Sequence, residues 1–179
     1  MIPASGQSQI ADTLSPEDRE LIAVAVGSEW ASPGSVMMES TAPICKPGVT
    51  FCIAADLLDK SVFNWDFPDS THLRQAFLER NQRTLDIGTL SLKLARLRRP
   101  EMERMFARGY LEWPILQQKY PGVRSLIQVS APAYSADGLH ALIYVVSYCN
   151  GRCGGGAVSL FERTSGRWNR SRNIVFFQG

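Results

Sequence analysis

The sequence has no apolar run approaching the ~20 residues that a membrane span requires. Its longest candidate, 139–148, is far shorter and β-branched, so it reads as a buried strand. An excess of one charge sign is missing too. Lys and Arg total 19 against 17 Asp and Glu, a net charge of +2. That balance argues against a dedicated nucleic-acid binder, which needs clustered cations to displace counterions from phosphates. The one basic run, Lys93, Arg96, Arg98 and Arg99, reads as a solvated face or the start of a helix. Histidine is scarce, with only His72 and His140. Internal repeats and low-complexity tracts are absent. The opening segment, MIPASGQSQIADTLS, has neither a basic n-region nor an apolar h-region and does not read as a signal peptide. Two readings follow: a cytosolic protein, or an exported one whose signal is already removed. The polar start suits the second.

What is present is an ordinary globular composition, 45% hydrophobic and 20% charged over 179 residues. This length suits one domain with a core that does not need disulfides merely to fold. The four cysteines fall into two close pairs, Cys45 with Cys52 and Cys149 with Cys153. Two local staples satisfy that spacing, although four cysteines allow three connectivities. Oxidised pairs would place the protein in the periplasm or outside the cell, reduced ones in the cytoplasm.

Along the chain, Ser15 is a good N-cap, Pro16 suits the first helical turn, and Glu17 and Asp18 complement the dipole there. Leu21, Val24 and Ala25 form the expected apolar face of this helix. SVMMEST, from Ser35, reads as a strand, and 42–52 as a cross-linked excursion. Asp69 or Ser70 is placed to cap a second helix, with Leu73, Ala76 and Phe77 on one side. Leu90, Leu92 and Leu94 alternate with polar residues, a strand period. Pro100 opens a third helix that buries Met102, Met105 and Phe106 and stops at Gly109. A short helix or turn is expected around 113–120.

After Gly122 the texture changes. VRSLIQVSA, LHALIYVVSY, GAVSLFER and RWNRSRNIVFF read as four strands. SADG and RTSG supply turns in which Asp137-Gly138 and Ser165-Gly166 reach positive φ. Short turns make successive strands antiparallel. The expected fold class is therefore α+β: N-terminal helices covering one face of a C-terminal antiparallel meander of four or more strands. Residues 1–14 are expected to be a flexible N-terminal segment and 15–179 a single domain, helical over about 15–121 and β-meander over about 123–178.

Cys149 and Cys153 sit in the connection between the second and third of these strands, and three readings compete. A disulfide could close the hairpin loop, worth roughly 2 kcal/mol in a chain-entropy account. A zinc site would need four ligands, but His140 lies nine residues before Cys149, roughly 30 Å away along an extended strand. A thiol enzyme could pair Cys149 or Cys153 with His72, with Arg152 favouring a thiolate. The spacing is C-x-x-x-C between strands, however, not C-x-x-C at a helix start. The glycines at 154–156 precede a strand and lack G-K-[ST], which excludes a phosphate loop. Glu101 and Glu103 lie on different helix faces and form no hydrolytic pair. NRS at 169–171 fits a glycosylation sequon.

VMMEST, FLERN, LEWPILQQKYPG, ALIYVVSYCNGRCGGG and LFERTSGRW occur in this order. The series resembles a group of uncharacterised bacterial proteins, often exported, whose chains end in a strand, a "CG.lcG.G" hairpin and a strand closing on "G.W". The chain departs from the group after YP, where it continues toward SAPAYSADG, and in its tail after Trp168. The resemblance implies a fold and an exported habit, and no reaction.

The aromatics Trp113, Tyr120, Tyr134 and Tyr148 read first as packing between sheet and helices. Trp113, Tyr120 and Tyr148, with Asn150 and Arg152 at the hairpin tip, also qualify as the rim of a binding surface. The functional expectation is a non-enzymatic, exported binding or protein-interaction domain, without metal or cofactor, for an unidentified protein or small molecule. The alternatives are a thiol-dependent enzyme and an immunity or inhibitor protein that caps an enzyme.

Overall fold

The computed structural model describes residues 13–27, 29–47, 52–58, 67, 69–106, 111–150 and 153–178. The first helix, α1 (Pro16–Gly27), starts as expected. The Ser15 hydroxyl accepts the Asp18 N–H at 3.1 Å, and the Asp18 carboxylate accepts the Ser15 N–H at 2.9 Å, a reciprocal capping box. Its buried face is Asp18, Leu21, Ile22, Ala25 and Val26. Val24, expected inward, is exposed, because the 100° step from Leu21 carries position 24 off the stripe and position 25 onto it. Leu14 is buried, its N–H bonded to the Asp86 carbonyl, and Thr13 bridges to Asp86. The tethered structure thus begins before residue 15; residues 1–12 of the expected flexible segment lie outside the described residues.

The strands are β1 (Ser35–Met38), β2 (Ala95–Leu97), β3 (Ser125–Val129), β4 (Ala133–Tyr134), β5 (His140–Cys149), β6 (Gly154–Thr164) and β7 (Arg167–Gln178). They form one sheet of order β2-β1-β3-β5-β6-β7, with β4 paired to β5. The expected α+β class holds, with β3, β5, β6 and β7 running antiparallel in chain order. Ser165 (φ 52°) and Gly166 (φ 77°) make the two-residue turn between β6 and β7. Two features differ from the expectation. Within the part read as helical, β1 and β2 add to the sheet in parallel, Val36 opposite both Ala95 and Leu126. The second difference concerns Leu90, Leu92 and Leu94, which form no ladder. They pack on the core as an irregular segment, and pairing starts only at Ala95, where the edge of β1 is within reach.

Both faces of the sheet are covered, not one. Met37, Ile127, Ile143, Val145 and Phe161 pack under α1. The alternate residues Leu142, Tyr144, Val146, Val158 and Leu160 pack under α2 (Ser70–Arg80), through Leu73 and Phe77. On that second face, farther along the sheet, Val36, Met38, Leu97 and Leu126 pack against α3 (Arg99–Met105) and α4 (Trp113–Lys119). This follows from the period of two: strands apolar at successive positions, such as β5, must bury both sides.

Polar ties hold the layers together. The buried Asp18 carboxylate accepts hydrogen bonds from Arg80 of α2 (2.5 Å) and from the Tyr134 hydroxyl of β4 (3.0 Å). Asn81, fully buried, donates to the Phe77 and Ala131 carbonyls and accepts the Ala131 N–H. Asp69 holds the N-cap position of α2, one of the two read from sequence, but makes no side-chain cap bond. It adopts φ 64°, and its carboxylate accepts the Ala136 N–H at 2.7 Å, bracing the turn before β5. In α3, Met105 and Phe106 are buried and Met102 is half-buried; Gly109, its expected stop, lies outside the described residues.

Candidate functional site

The cysteines close two local loops. Cys45 is bonded to Cys52 and Cys149 to Cys153, with Cα atoms 4.7 and 5.5 Å apart. No cysteine is free. The second bridge spans the β5–β6 turn, where Gly154 has φ 132°. A Cβ there would lie 2.6 Å from the Ser147 carbonyl oxygen, so the turn admits only glycine.

Neither histidine is placed to serve a thiol. His72 is exposed, with Nδ1 3.4 Å from the Asp69 carboxylate. His140 stacks on Phe67 at 5.6 Å, and its Nδ1 is 4.0 Å from Asp137. Among the described residues no group of three or more His, Cys, Asp or Glu side chains could hold a metal ion. None of the helices among them is long and apolar enough to cross a membrane.

Of the proposed rim, Trp113, Tyr120 and Tyr148 do come together, but as packing. All three are half-buried against the cluster under α3 and α4, and Tyr148 also touches the cluster under α2. Burial raises the hydroxyl pKa of Tyr148 and of Tyr120. Asn150 is exposed at the hairpin, while Arg152 lies outside the described residues. Tyr134, the fourth aromatic, is committed to Asp18, and burial raises its hydroxyl pKa as well.

A cleft of about 600 Å³ opens beside Tyr120, where the parallel strands β2, β1 and β3 begin. Its walls come from three separate segments, 31–36, 92–95 and 119–123. The first reaches the third by close backbone approach. Gly34 has φ 87°, its carbonyl accepts the Arg124 N–H at 2.8 Å, and a Cβ on it would lie 2.7 Å from the Gly122 oxygen. The lining is mostly apolar: Pro33, Val36, Leu92, Leu94, Pro121 and Val123. The Tyr120 hydroxyl is tied down, donating to the Arg96 carbonyl at 2.7 Å.

Besides the Tyr120 hydroxyl, the polar side chains along the cleft carry two hydroxyls and two ammonium groups, from Ser32, Ser35, Lys93 and Lys119. Ser35 Oγ lies 3.0 Å from Ser32 Oγ and 2.9 Å from Ser125 Oγ. Lys119 sits over the Tyr120 ring, 5.5 Å from its centroid, and pairs with Glu101. Glu101 itself is 6% exposed and takes both Nε and Nη2 of Arg98. The Arg98 hydrogen bonds, then that of Lys119, hold the Glu101 carboxyl down to about 2. No carboxylate, histidine or thiol lines the cleft among the described residues.

Sequence reasoning reached Tyr120 and missed the rest of this lining. SPG at 32–34 carries only turn signals, and Lys93 reads only as part of a basic run. No local pattern links 31–36 to 92–95, because parallel pairing between β1 and β2 brings them together. The chain matches no protein-family model, no curated protein and no solved structure.

Proposed function

We propose that this chain is a non-enzymatic, exported bacterial binding domain. We place it with the uncharacterised family that its CNGRCGGG hairpin and closing SGRW resemble, and take the cleft at the head of the parallel strands as its binding surface. The observation that carries the reading is the cleft itself. Its volume falls in the range that accepts small organic molecules, and its wall is apolar with a few convergent polar groups. Among the described residues, a lining without carboxylate, histidine or thiol favours binding over hydrolysis or thiol chemistry. Both cysteine pairs being oxidised favours an oxidising compartment, periplasmic or secreted, over the cytoplasm.

Two measurements test this. Fluorescence of the neutral probe N-phenyl-1-naphthylamine should rise on addition of the folded protein. The rise should be lost in Ala95→Trp, which puts an indole into the cleft from an exposed strand position. An equal rise with both proteins, or none with either, overturns the cleft as the binding surface. Intact mass after alkylation of protein recovered from its native cell should show no modified thiol before reduction and four after it. Four free thiols in that material would overturn the exported assignment.

A further inference from the structure

The cleft pairs an apolar wall with charged groups of one sign. Lys93 and Lys119 are its only charged lining groups among the described residues, and the nearby acid, Glu101, lines a neighbouring hollow instead. Lys119 is committed to Glu101 and to the Tyr120 ring. Lys93 is exposed and makes no ion pair among the described residues. It is the uncommitted cation of the site.

The hydroxyls add a second, independent count. Ser35 Oγ has four polar neighbours: the Ser32 N–H at 3.2 Å, the Trp30 carbonyl at 3.3 Å, and the hydroxyls of Ser32 and Ser125. A hydroxyl offers one proton and two acceptor sites. In each Ser–Ser pair either hydroxyl can be the donor, so the trio can both give and accept. Ser32, the exposed member that lines the cleft, can turn its proton toward an oxygen anion held there.

Resting on the cleft reading above, we propose that the ligand is a small anionic amphiphile. Its carboxylate or phosphate head sits between Lys93 and the Ser32 hydroxyl, and its apolar body lies along Pro33, Val36, Leu94 and Val123. A cationic ligand would meet two ammonium groups and no acid. A neutral one would leave Lys93 unused.

The test is competition against bound N-phenyl-1-naphthylamine by decanoate, decyl phosphate, decanol and decyltrimethylammonium, each below its micelle concentration, with full-length protein. Decanoate and decyl phosphate should displace the probe about fivefold or more better than decanol, the scale of one partly exposed ion pair. Decyltrimethylammonium should be the weakest. Comparing the two anions decides between a carboxylate and a phosphate head. Lys93→Glu should weaken decanoate by roughly tenfold and leave decanol within twofold, while Lys93→Arg retains decanoate binding. Raising the salt to about 1 M should erase most of the anion preference. If decanol and decanoate compete equally, the anion inference fails and the apolar cleft stands. If no decyl compound displaces the probe, both fail. Lys93 is exposed, so its variants leave folding intact and circular dichroism checks this.

Discussion

The two ends of the sheet are built differently. At one end β5, β6 and β7 run 10, 11 and 12 residues, joined by turns that pair each strand with the next. At the other end β1, β2 and β3 run 4, 3 and 5 residues and pair in parallel, across long stretches of intervening chain. The meander is closed by local chemistry: a Ser-Gly turn, a disulfide and a glycine with no room for a side chain. The parallel end is closed by tertiary packing of α3 and α4 and by the ion pairs of Glu101 with Arg98 and Lys119. The cleft lies at the parallel end. Strong local pairing leaves little free space, whereas short strands meeting through crossovers leave a hollow at their ends.

The largest test of this contrast is truncation of the core at each end. Phe161→Ala, in the meander, should cost about 3–5 kcal/mol. It should lower amide-exchange protection throughout the sheet. Leu97→Ala, at the parallel end, should cost about 2–5 kcal/mol in the local unit. Loss of protection should fall on β1, β2 and α3, with β5 and β6 little changed. Equal losses everywhere would make the sheet one cooperative unit and remove the contrast.

A smaller effect is expected from the hairpin bridge. Replacing Cys149 and Cys153 together with Ser should lower stability by roughly 2 kcal/mol, the loop-closure contribution for so short a loop. Probe binding in the cleft should be unchanged. Loss of binding without loss of stability would assign the hairpin a functional role.

The smallest effect is a pH dependence confined to the parallel end. The Glu101 carboxyl sits below its ordinary value of 4.5, at about 2, chiefly through Arg98 and then Lys119. The unfolded chain therefore takes up this proton at higher pH than the folded one. The contribution is fully present above about 4.5 and is lost as pH falls toward about 2. Urea unfolding followed across that window should flatten in Glu101→Gln relative to the parent. An unchanged slope would show that this carboxylate does not titrate with folding.

The meander and first helix were legible in the sequence because their signals are local. Ser15 through Asp18 spells a helix start, SADG and RTSG spell turns, and β5 is long enough to show its type. The close spacing of the cysteines suggested two local staples among three possible connectivities, and the structure supplied the pairing. Leu90, Leu92 and Leu94 misled because alternation reports one-sided burial, and a segment can be buried on one side without pairing. Val24 misled because one step around a helix moves a residue from core to solvent. Asp69 takes the N-cap place the sequence offered, but its carboxylate serves the Ala136 N–H, a partner remote in sequence.

Sequence by itself therefore determined the α+β class and the antiparallel order of the long strands, both of which depend on contacts between near neighbours, while the cysteine spacing left the connectivity to the structure. Tertiary structure alone decided that β1 and β2 extend the sheet in parallel and that helices cover both faces. It also decided that Ser32, Lys93 and Tyr120 share one cleft. The cost of bringing distant segments together is repaid only when the whole core forms, so no short stretch of sequence carries the record of where they meet.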